Sequence, residues 1–300
     1  MNKTLYYVLI VLFVAIFLFS GWNLAAYYLE GQTNQEQFDA LAQQMEEAKH
    51  QTNPTVYYTQ PTAPPPTTAP TQPVDPPIST DPTDPPAPTL PPATEPEPME
   101  PTPPVILPEY SQLYLQNPDM VGWIQIENTA INYPVMQTPN DPDYYLKRNF
   151  DKKKSSWGCI YAEEECDVFG PSDNVTLYGH HMYDGSMFTA LVHYSSKSFF
   201  REHRYIIFNT LLEQRTYEII AVFKTTASTG EGFRYHTFIN AKNQKEFDDF
   251  VSECKRLSLY QIDATAEYGD KLITLSTCEY SQTNGRFVVV AKLIQTESAE

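Results

Sequence analysis

The sequence predicts a mainly β domain with peripheral helices, preceded by an apolar N-terminal helix and a proline-rich segment. Three observations support this fold class. Between residues 122 and 294, eight short runs rich in Val, Ile, Tyr and Thr are bounded by Asn, Asp, Gly or Pro, as strands are. One longer run among them has helical periodicity instead. Near the N-terminus, a single stretch is long and apolar enough to cross a membrane.

The first element is a predicted transmembrane anchor over residues 1–31. Apolar residues fill the run Leu5–Trp22 almost without interruption, and the next charge is Glu30. Lys3 is the only base flanking the run, which predicts a cytoplasmic N-terminus, a single pass through the cell membrane and an extracellular C-terminal domain. A cleaved signal peptide is the alternative, and it also places the rest of the chain outside the cytoplasm. The aromatic residues placed for the outer interface are Trp22, Tyr27 and Tyr28.

Two segments separate this anchor from the predicted β domain. Residues 32–52 form a predicted juxtamembrane helix with Phe38, Leu41 and Met45 on one face, and we expect that helix to be solvated. Residues 53–108 contain most of the 26 prolines, together with Thr and acids, and too few apolar residues for a core. They predict an extended spacer of up to about 150 Å, which would hold a domain away from the membrane.

The folded domain is predicted over residues 109–300, beginning with a short helix that ends at Asn117–Pro118. The strand-like runs are GWIQI, INYPVM, GCIYA, NVTLYG, YIIFNT, TYEIIAVFKT, KLITLSTC and GRFVVVAKLI. Short strands at regular spacing predict a closed or sandwiched β architecture. From Asn240, the run NAKNQKEFDDFVSECKRL predicts one helix inserted between late strands. Its apolar face consists of Phe247, Phe250, Val251, Cys254 and Leu257.

Charge and cysteine content exclude some functions. A net charge of -17 argues against nucleic-acid binding, which needs a basic surface. Cys159 and Cys166 are the only cysteines close in sequence, and whether they form a disulfide stays open. The acidic run at 163–167 has no His or Cys at matching ligand spacing, so it predicts a solvated loop and no metal site.

Cys278 is the strongest candidate for a catalytic residue. It follows the predicted strand Lys271–Thr277, and after a turn at 283–285 Arg286 opens the next strand. Adjacent antiparallel strands would bring Cys278 and Arg286 to the same end of the sheet. A neighbouring cation favours the reactive thiolate, and Arg, which stays charged, is suited to stabilise an oxyanion.

A second candidate segment, NVTLYGHHMYDGSMF, runs from a strand into Gly179, His180 and His181. Acyl transfer to an amine needs a group that both donates and accepts a proton, and His suits both tasks. Alternation along the strand puts the two histidines on opposite faces, so chemistry alone leaves the choice open. The pairs Tyr144–Tyr145 and Tyr183–Asp184 are further candidates to line the cleft.

These segments together resemble a known family. TLSTC at 274–278 followed by Arg286, with LYGHH at 177–181 upstream, resembles the catalytic signature of sortases. Residues 122–137, 144–150 and 179–188 are similar to class B sortases in particular, and the resemblance covers about residues 112–293. It implies an eight-stranded sortase-type β-barrel and an enzyme that needs no metal or cofactor.

The resemblance also implies a reaction, that of a cysteine transpeptidase anchoring proteins to the cell wall of Gram-positive bacteria. Cys278 would attack the Thr carbonyl in the C-terminal sorting signal of a secreted protein and form a thioester. His180 would protonate the departing amine, and Arg286 would stabilise the oxyanion. A peptidoglycan peptide amine would then accept the protein as a new amide.

Matching positions assign the remaining candidates. The family residue directly after the Gly is the catalytic one, which selects His180 over His181. Ser276 and Thr277 match positions that line the substrate groove, so they are candidate substrate-binding residues. Three alternatives stay open: a pilin-polymerising sortase that uses a pilin Lys, a cysteine peptidase that uses water, and a catalytically silent surface-displayed binding module.

Overall fold

The computed structural model describes residues 3–51, 54–59, 103–170, 172–228 and 230–298. Most of the predicted spacer, including residues 60–102, therefore lies outside the described residues. One compact unit combines residues 1–56 with 105–300, and residues 57–104 are grouped apart from it. Every helix and strand described below belongs to the first unit.

Eight strands form a closed barrel, which confirms the predicted β architecture. The neighbours around the barrel follow the order β1-β2-β3-β4-β7-β8-β6-β5. All eight predicted runs are strands: β1 (Met120–Gln125), β2 (Asn132–Met136), β3 (Ile160–Ala162), β4 (Asn174–Tyr178), β5 (Tyr205–Thr210), β6 (Glu213–Thr226), β7 (Leu272–Glu279) and β8 (Gly285–Ser298).

The described residues also form helices. The α-helices are α1 (Lys3–Ala48), α2 (Pro108–Gln116), α3 (Lys197–Glu202) and α4 (Gln244–Leu257). Three short 3-10 helices cover Tyr144–Lys147, Phe188–Ser195 and Tyr235–Thr237. The short helix α2 ends before Asn117, where the sequence predicts its end.

The inserted helix α4 lies between β6 and β7 in the chain, as predicted. Its first turn is capped in both directions. The Asn243 side chain accepts a hydrogen bond from the Glu246 amide (3.1 Å), and the Glu246 carboxylate accepts one from the Lys242 amide (2.9 Å). Its predicted apolar face packs with buried residues of β6 and β8, fully buried except for the partly buried Leu257. The Phe250 ring also stacks on Phe238, which precedes the helix, at 3.9 Å.

Helix α1 differs from expectation, because the predicted anchor and juxtamembrane helix form one continuous helix and its C-terminal part is not solvated. Phe38 is only 1% exposed, and its ring packs edge-on against Tyr133 of β2 at 5.1 Å. Leu41 and Met45 are buried as well. An apolar face on a helix must be covered, and here the barrel covers it.

The N-terminal part of α1 is exposed along its whole apolar run. Within the described residues, α1 is the one helix whose length and composition suit a membrane span, with a mean hydropathy of 2.4. The rest of the protein buries none of the apolar stretch that forms this candidate span. The same helix therefore carries a candidate span and a segment packed on the barrel.

The chain rejoins the compact unit after the proline-rich segment. Ile106 donates a backbone hydrogen bond to the carbonyl of Val56 (2.8 Å), and Leu107 donates one to Leu211 (2.7 Å). Ile106 and Leu107 are buried. Residues 56 and 106, which lie on either side of that segment, are therefore bonded to each other.

Candidate active site

Three neighbouring strands bring the predicted residues together. Strand β7 pairs with β8 in an antiparallel register that puts Cys278 opposite Arg286. It pairs with β4 in a parallel register that puts Tyr178 beside Ser276. When that register is continued two residues, His180 lies beside Cys278, and all three side chains reach the same end of the barrel.

Local backbone features explain this placement. Asn284 adopts a left-handed conformation (φ 52°), which Asn tolerates better than most residues, and thereby closes the β7–β8 turn. Gly179 fits between Ile160 and Phe188, since an added Cβ would come within 2.5 Å of the Ile160 side chain. The glycine thus permits the chain to leave β4 and present His180.

The three side chains line a cleft of about 410 Å³. Cys278 lies on its wall and is half-buried. Glu163, Tyr161 and Tyr178 also line the cleft, and the Tyr178 hydroxyl donates a hydrogen bond to the Glu163 carboxylate. The cleft therefore combines an accessible thiol, an imidazole and a guanidinium with a polar wall.

His180 is oriented by a backbone carbonyl. Its Nε2 lies 2.7 Å from the carbonyl oxygen of Leu146, and a carbonyl only accepts, so Nε2 carries a proton. Within the described part of the chain Nδ1 has no protein hydrogen-bond partner. That nitrogen is available to exchange a proton inside the cleft.

His181 has a different environment, on the opposite face as the alternation predicts. Its Nδ1 donates to the backbone carbonyl of Cys278 (3.0 Å), and its ring lies 4.9 Å from that of Tyr280. The Tyr280 hydroxyl donates in turn to the His181 carbonyl (3.0 Å). His181 therefore holds the backbone of Cys278, whereas His180 faces the cleft.

Arg286 keeps its charge available. Its Nη1 donates to the Gly285 carbonyl (3.0 Å) and, more weakly, to that of Asn284 (3.4 Å). It forms no ion pair with the described carboxylates. A guanidinium held by carbonyls, with no paired carboxylate, remains able to bind a developing oxyanion.

Ser276 and Thr277 also line the cleft, but their hydroxyls bind within the protein. Ser276 Oγ and the Tyr235 hydroxyl are 2.6 Å apart, and Thr277 Oγ1 donates to the Gly179 carbonyl (2.8 Å). The second bond fastens β7 to the residue before His180. Both hydroxyls thus stabilise the wall of the cleft.

The other three cysteines have a different character from Cys278. All four are free thiols, so the possible Cys159–Cys166 bridge is not formed. Burial raises the pKa of the Cys166 thiol to about 12 and raises those of Cys159 and Cys254 as well. Buried thiols with raised pKa values are poor nucleophiles, which leaves Cys278 as the accessible one.

Some of these features were not predictable. The Leu146 carbonyl orients His180, yet a backbone carbonyl leaves no residue-type signal in the sequence. Tyr183 and Asp184, proposed to line the cleft, lie elsewhere: Tyr183 is 91% exposed, and Asp184 accepts a hydrogen bond from the indole of Trp157 beside α1. Tyr145 is buried and bonded to Asn117.

Comparison with known proteins gives a consistent answer. The family model of the sortase domain, which describes the sequences of that family, matches residues 124–294. Sortase B of Staphylococcus aureus is 34% identical over 192 residues, which cover 63% of this chain and 76% of that protein. Sortase B of Listeria monocytogenes is 34% identical over 188 residues, covering 62% and 74%.

A solved structure extends the similarity to three dimensions. A Staphylococcus aureus sortase B–substrate complex superposes with a TM-score of 0.65 at 25% sequence identity. The superposition covers 89% of this chain and 99% of that one.

Proposed function

Because the chain belongs to the sortase family, as a class B member and hence a cysteine transpeptidase, we propose that Cys278, His180 and Arg286 carry its transpeptidation. The observation that supports this most directly is the registration of β4, β7 and β8, which puts all three residues at one end of one cleft. We propose that the substrate is the C-terminal sorting signal of a secreted protein, cleaved after Thr.

In the first half-reaction, the Cys278 thiol passes its proton to Nδ1 of His180. The resulting thiolate sulfur bonds to the Thr carbonyl carbon, and the carbonyl electron pair moves to the oxygen. Arg286 stabilises that oxyanion, and because its charge is fixed it takes no part in proton transfer. His180 gives the proton on Nδ1 to the departing amine as the C–N bond breaks. The product is a thioester on Cys278.

In the second half-reaction, an amine of a peptidoglycan peptide attacks the thioester carbonyl. Its proton passes to Nδ1 of His180, the C–S bond breaks, and the thiolate of Cys278 is restored. The hydrogen bond from Nε2 to Leu146 fixes which nitrogen cycles its proton. Ser276 and Thr277 contribute as walls of the substrate groove.

We also propose the location of the enzyme and its division into segments. Residues 1–31 would anchor it in the cell membrane with a cytoplasmic N-terminus, as the single base Lys3 suggests. Residues 32–52 would connect the anchor to the catalytic domain at 109–300, which would lie outside the cell. The intervening residues 53–108 would be a proline-rich connection.

The test uses the full chain in phosphatidylcholine nanodiscs, incubated with sorting-signal peptides that contain Thr. Mass spectrometry should detect a thioester adduct on the wild-type protein and none on Cys278→Ala. An unchanged adduct in that variant would contradict the assignment. Added peptidoglycan-like amines should give a new amide; products from a pilin-like Lys or from water alone would indicate a pilin polymerase or a peptidase instead.

A further inference from the structure

Two exposed tyrosines outside the active-site cleft have no role in the reaction described above. Tyr183 is 91% exposed and Tyr280 62% exposed, and their rings stack nearly parallel at 6.4 Å. Tyr280 lies two residues after Cys278 and is held by its hydrogen bond to the His181 carbonyl. A stacked and exposed aromatic pair suggests a partner surface.

Helix α1 shows where this pair lies relative to a bilayer. A span of about 20 residues that begins at Leu5 ends near Leu24. Tyr27 then lies about 5 Å farther along the helix axis. Its ring packs on Trp157 of the catalytic domain at 4.8 Å. The domain therefore contacts α1 within one helical turn of the end of the span.

The contact is close because α1 has a glycine there. A Cβ on Gly31 would come within 2.7 Å of the Trp157 ring and 3.3 Å of an Asp184 carboxylate oxygen. The Trp157 indole donates to Asp184 at 2.8 Å, which links the helix to the residue after Tyr183. Tyr183 is thus one residue away from a group in contact with the membrane-proximal part of α1.

Further contacts along α1 fix the domain's position. Moving away from the span, Glu30 accepts from the Ser156 amide (2.7 Å), and Gln37 accepts from the Asn149 side chain (2.9 Å). Phe38 is the buried centre of this interface. Contacts over several turns hold the catalytic domain beside the helix and define which of its surfaces is nearest the span.

We propose that the Tyr183–Tyr280 pair is a membrane-contact surface, seated in the headgroup region of the bilayer that holds α1. Tyrosine suits this position, since its ring is apolar and its hydroxyl stays hydrated. The chain carries a net charge of -17, so attraction to anionic lipid does not drive the contact, and neutral lipid suffices. Because Tyr280 follows Cys278 by two residues, the end of β7 that carries Cys278 would then lie near the membrane surface. The inference rests on α1 as the membrane span proposed above.

The experiment places a fluorescent reporter at each tyrosine. Tyr183→Trp and Tyr280→Trp are made separately in a Trp22→Phe background, and the full chain is placed in phosphatidylcholine nanodiscs with or without brominated acyl chains. Tyr268→Trp is the matched control, because Tyr268 is half exposed and precedes β7 whereas Tyr280 follows it. Trp123 and Trp157 are buried in the wild-type chain and are present in all three reporter variants, where they give a common background.

Brominated lipid should quench the reporters at 183 and 280 and leave the one at 268 unchanged. Equal quenching at all three positions, or quenching at 183 and 280 no greater than at 268, overturns the proposal. Phe38→Asp, which removes the α1 contact but not the span, should abolish the difference among the three reporters.

Other readouts separate the possible failures. Quenching of Trp22 in the parent chain reports insertion of the span. If Trp22 is quenched and the reporters at 183 and 280 are not, the membrane contact fails while the anchor stands. The thioester assay tests the proposed catalytic function independently of both.

Discussion

Two regions of the molecule are assembled by different forces: the α1 interface, and the end of the barrel that carries His180, Cys278 and Arg286, called here the active-site corner. At the corner, backbone hydrogen bonds among β4, β7 and β8 set the positions of the three residues. At the interface, α1 meets the barrel through side chains, with Phe38 at the centre. Backbone pairing tolerates changes in most side chains, whereas a side-chain interface is lost by changing a few. The arrangement of the three candidate residues should therefore survive most side-chain substitutions around them. The position of the domain beside α1 should change when a few interface side chains are substituted.

The largest effect should come from Cys278, the proposed nucleophile. Cys278→Ala removes the sulfur that would form the thioester, and we expect turnover to fall by at least about 10⁴-fold. Peptide cleavage followed by mass spectrometry measures this. The circular dichroism spectrum should stay unchanged, because the ladders around Cys278 do not need its sulfur. Residual turnover near the wild-type rate would show that another group is the nucleophile.

The two histidines give the next test within the corner. His180→Gln should reduce turnover by about 10²–10⁴-fold, since it removes the proton-transfer group. The matched variant His181→Gln preserves a donor toward the Cys278 carbonyl and should reduce turnover much less. Equal losses in the two variants, or a greater loss in His181→Gln, would contradict the assignment of proton transfer to His180.

Arg286→Lys tests whether the shape of the cation matters as well as its charge. Lysine provides a point charge instead of a planar fork, so we expect turnover to fall by about 10²–10³-fold. The loss should appear in kcat/KM measured with a sorting-signal peptide. Wild-type activity in this variant would limit the role of Arg286 to general electrostatics.

Phe38→Ala tests the interface without touching the corner. Truncating a fully buried Phe typically costs about 3–5 kcal/mol, enough to weaken docking of the helix markedly. Hydrogen exchange in the 30–48 segment should therefore accelerate, while peptide cleavage in detergent stays near the wild-type rate. Leu29→Ala, at an exposed position of the same helix, is the control. Unchanged exchange in Phe38→Ala would mean that other contacts hold α1.

The smallest effect concerns the end of β7. Burial of Glu279 favours its neutral form, but hydrogen bonds from Ser281 and Lys224 outweigh burial and lower the pKa of Glu279. A lowered carboxyl pKa contributes stability above the unfolded-state value of about 4.3, and that contribution is lost as the pH falls through the folded-state value.

Glu279→Gln should therefore reduce the free energy of unfolding by on the order of 1 kcal/mol at pH 7. The difference from wild type should vanish in acid, which denaturant titrations at several pH values measure. The difference in free energy of unfolding could instead persist at pH values below both the folded-state and the unfolded-state pKa of Glu279. That result would point to lost packing instead of lost charge.

The sequence predicted the corner better than the interface for a physical reason. The strands and the apolar face of α4 follow local periodicity, which the sequence shows directly. Asn284 and its neighbours encode the turn before Arg286, so the pairing of β7 with β8 could be anticipated. The face of Phe38, Leu41 and Met45 was equally visible. Periodicity shows that a face is apolar, however, and does not show which distant surface covers it.

The same limit applies to single contacts within the site. His180 and Cys278 are recognisable by residue type, but the carbonyl of Leu146 that orients His180 is not. The close approach of Gly31 to Trp157 joins residues far apart in the chain, and no local pattern encodes it. Such features arise from how the elements pack, which one sequence leaves undetermined.

The backbone hydrogen bond between Ile106 and Val56 has a mechanical consequence. An extended connection in series with the anchor would bear any pulling force and set the reach of the enzyme. Here residues 56 and 106, on either side of that connection, are bonded to each other within the compact unit, and α1 is docked on the barrel. A load on the catalytic domain would therefore pass first through the α1 contacts.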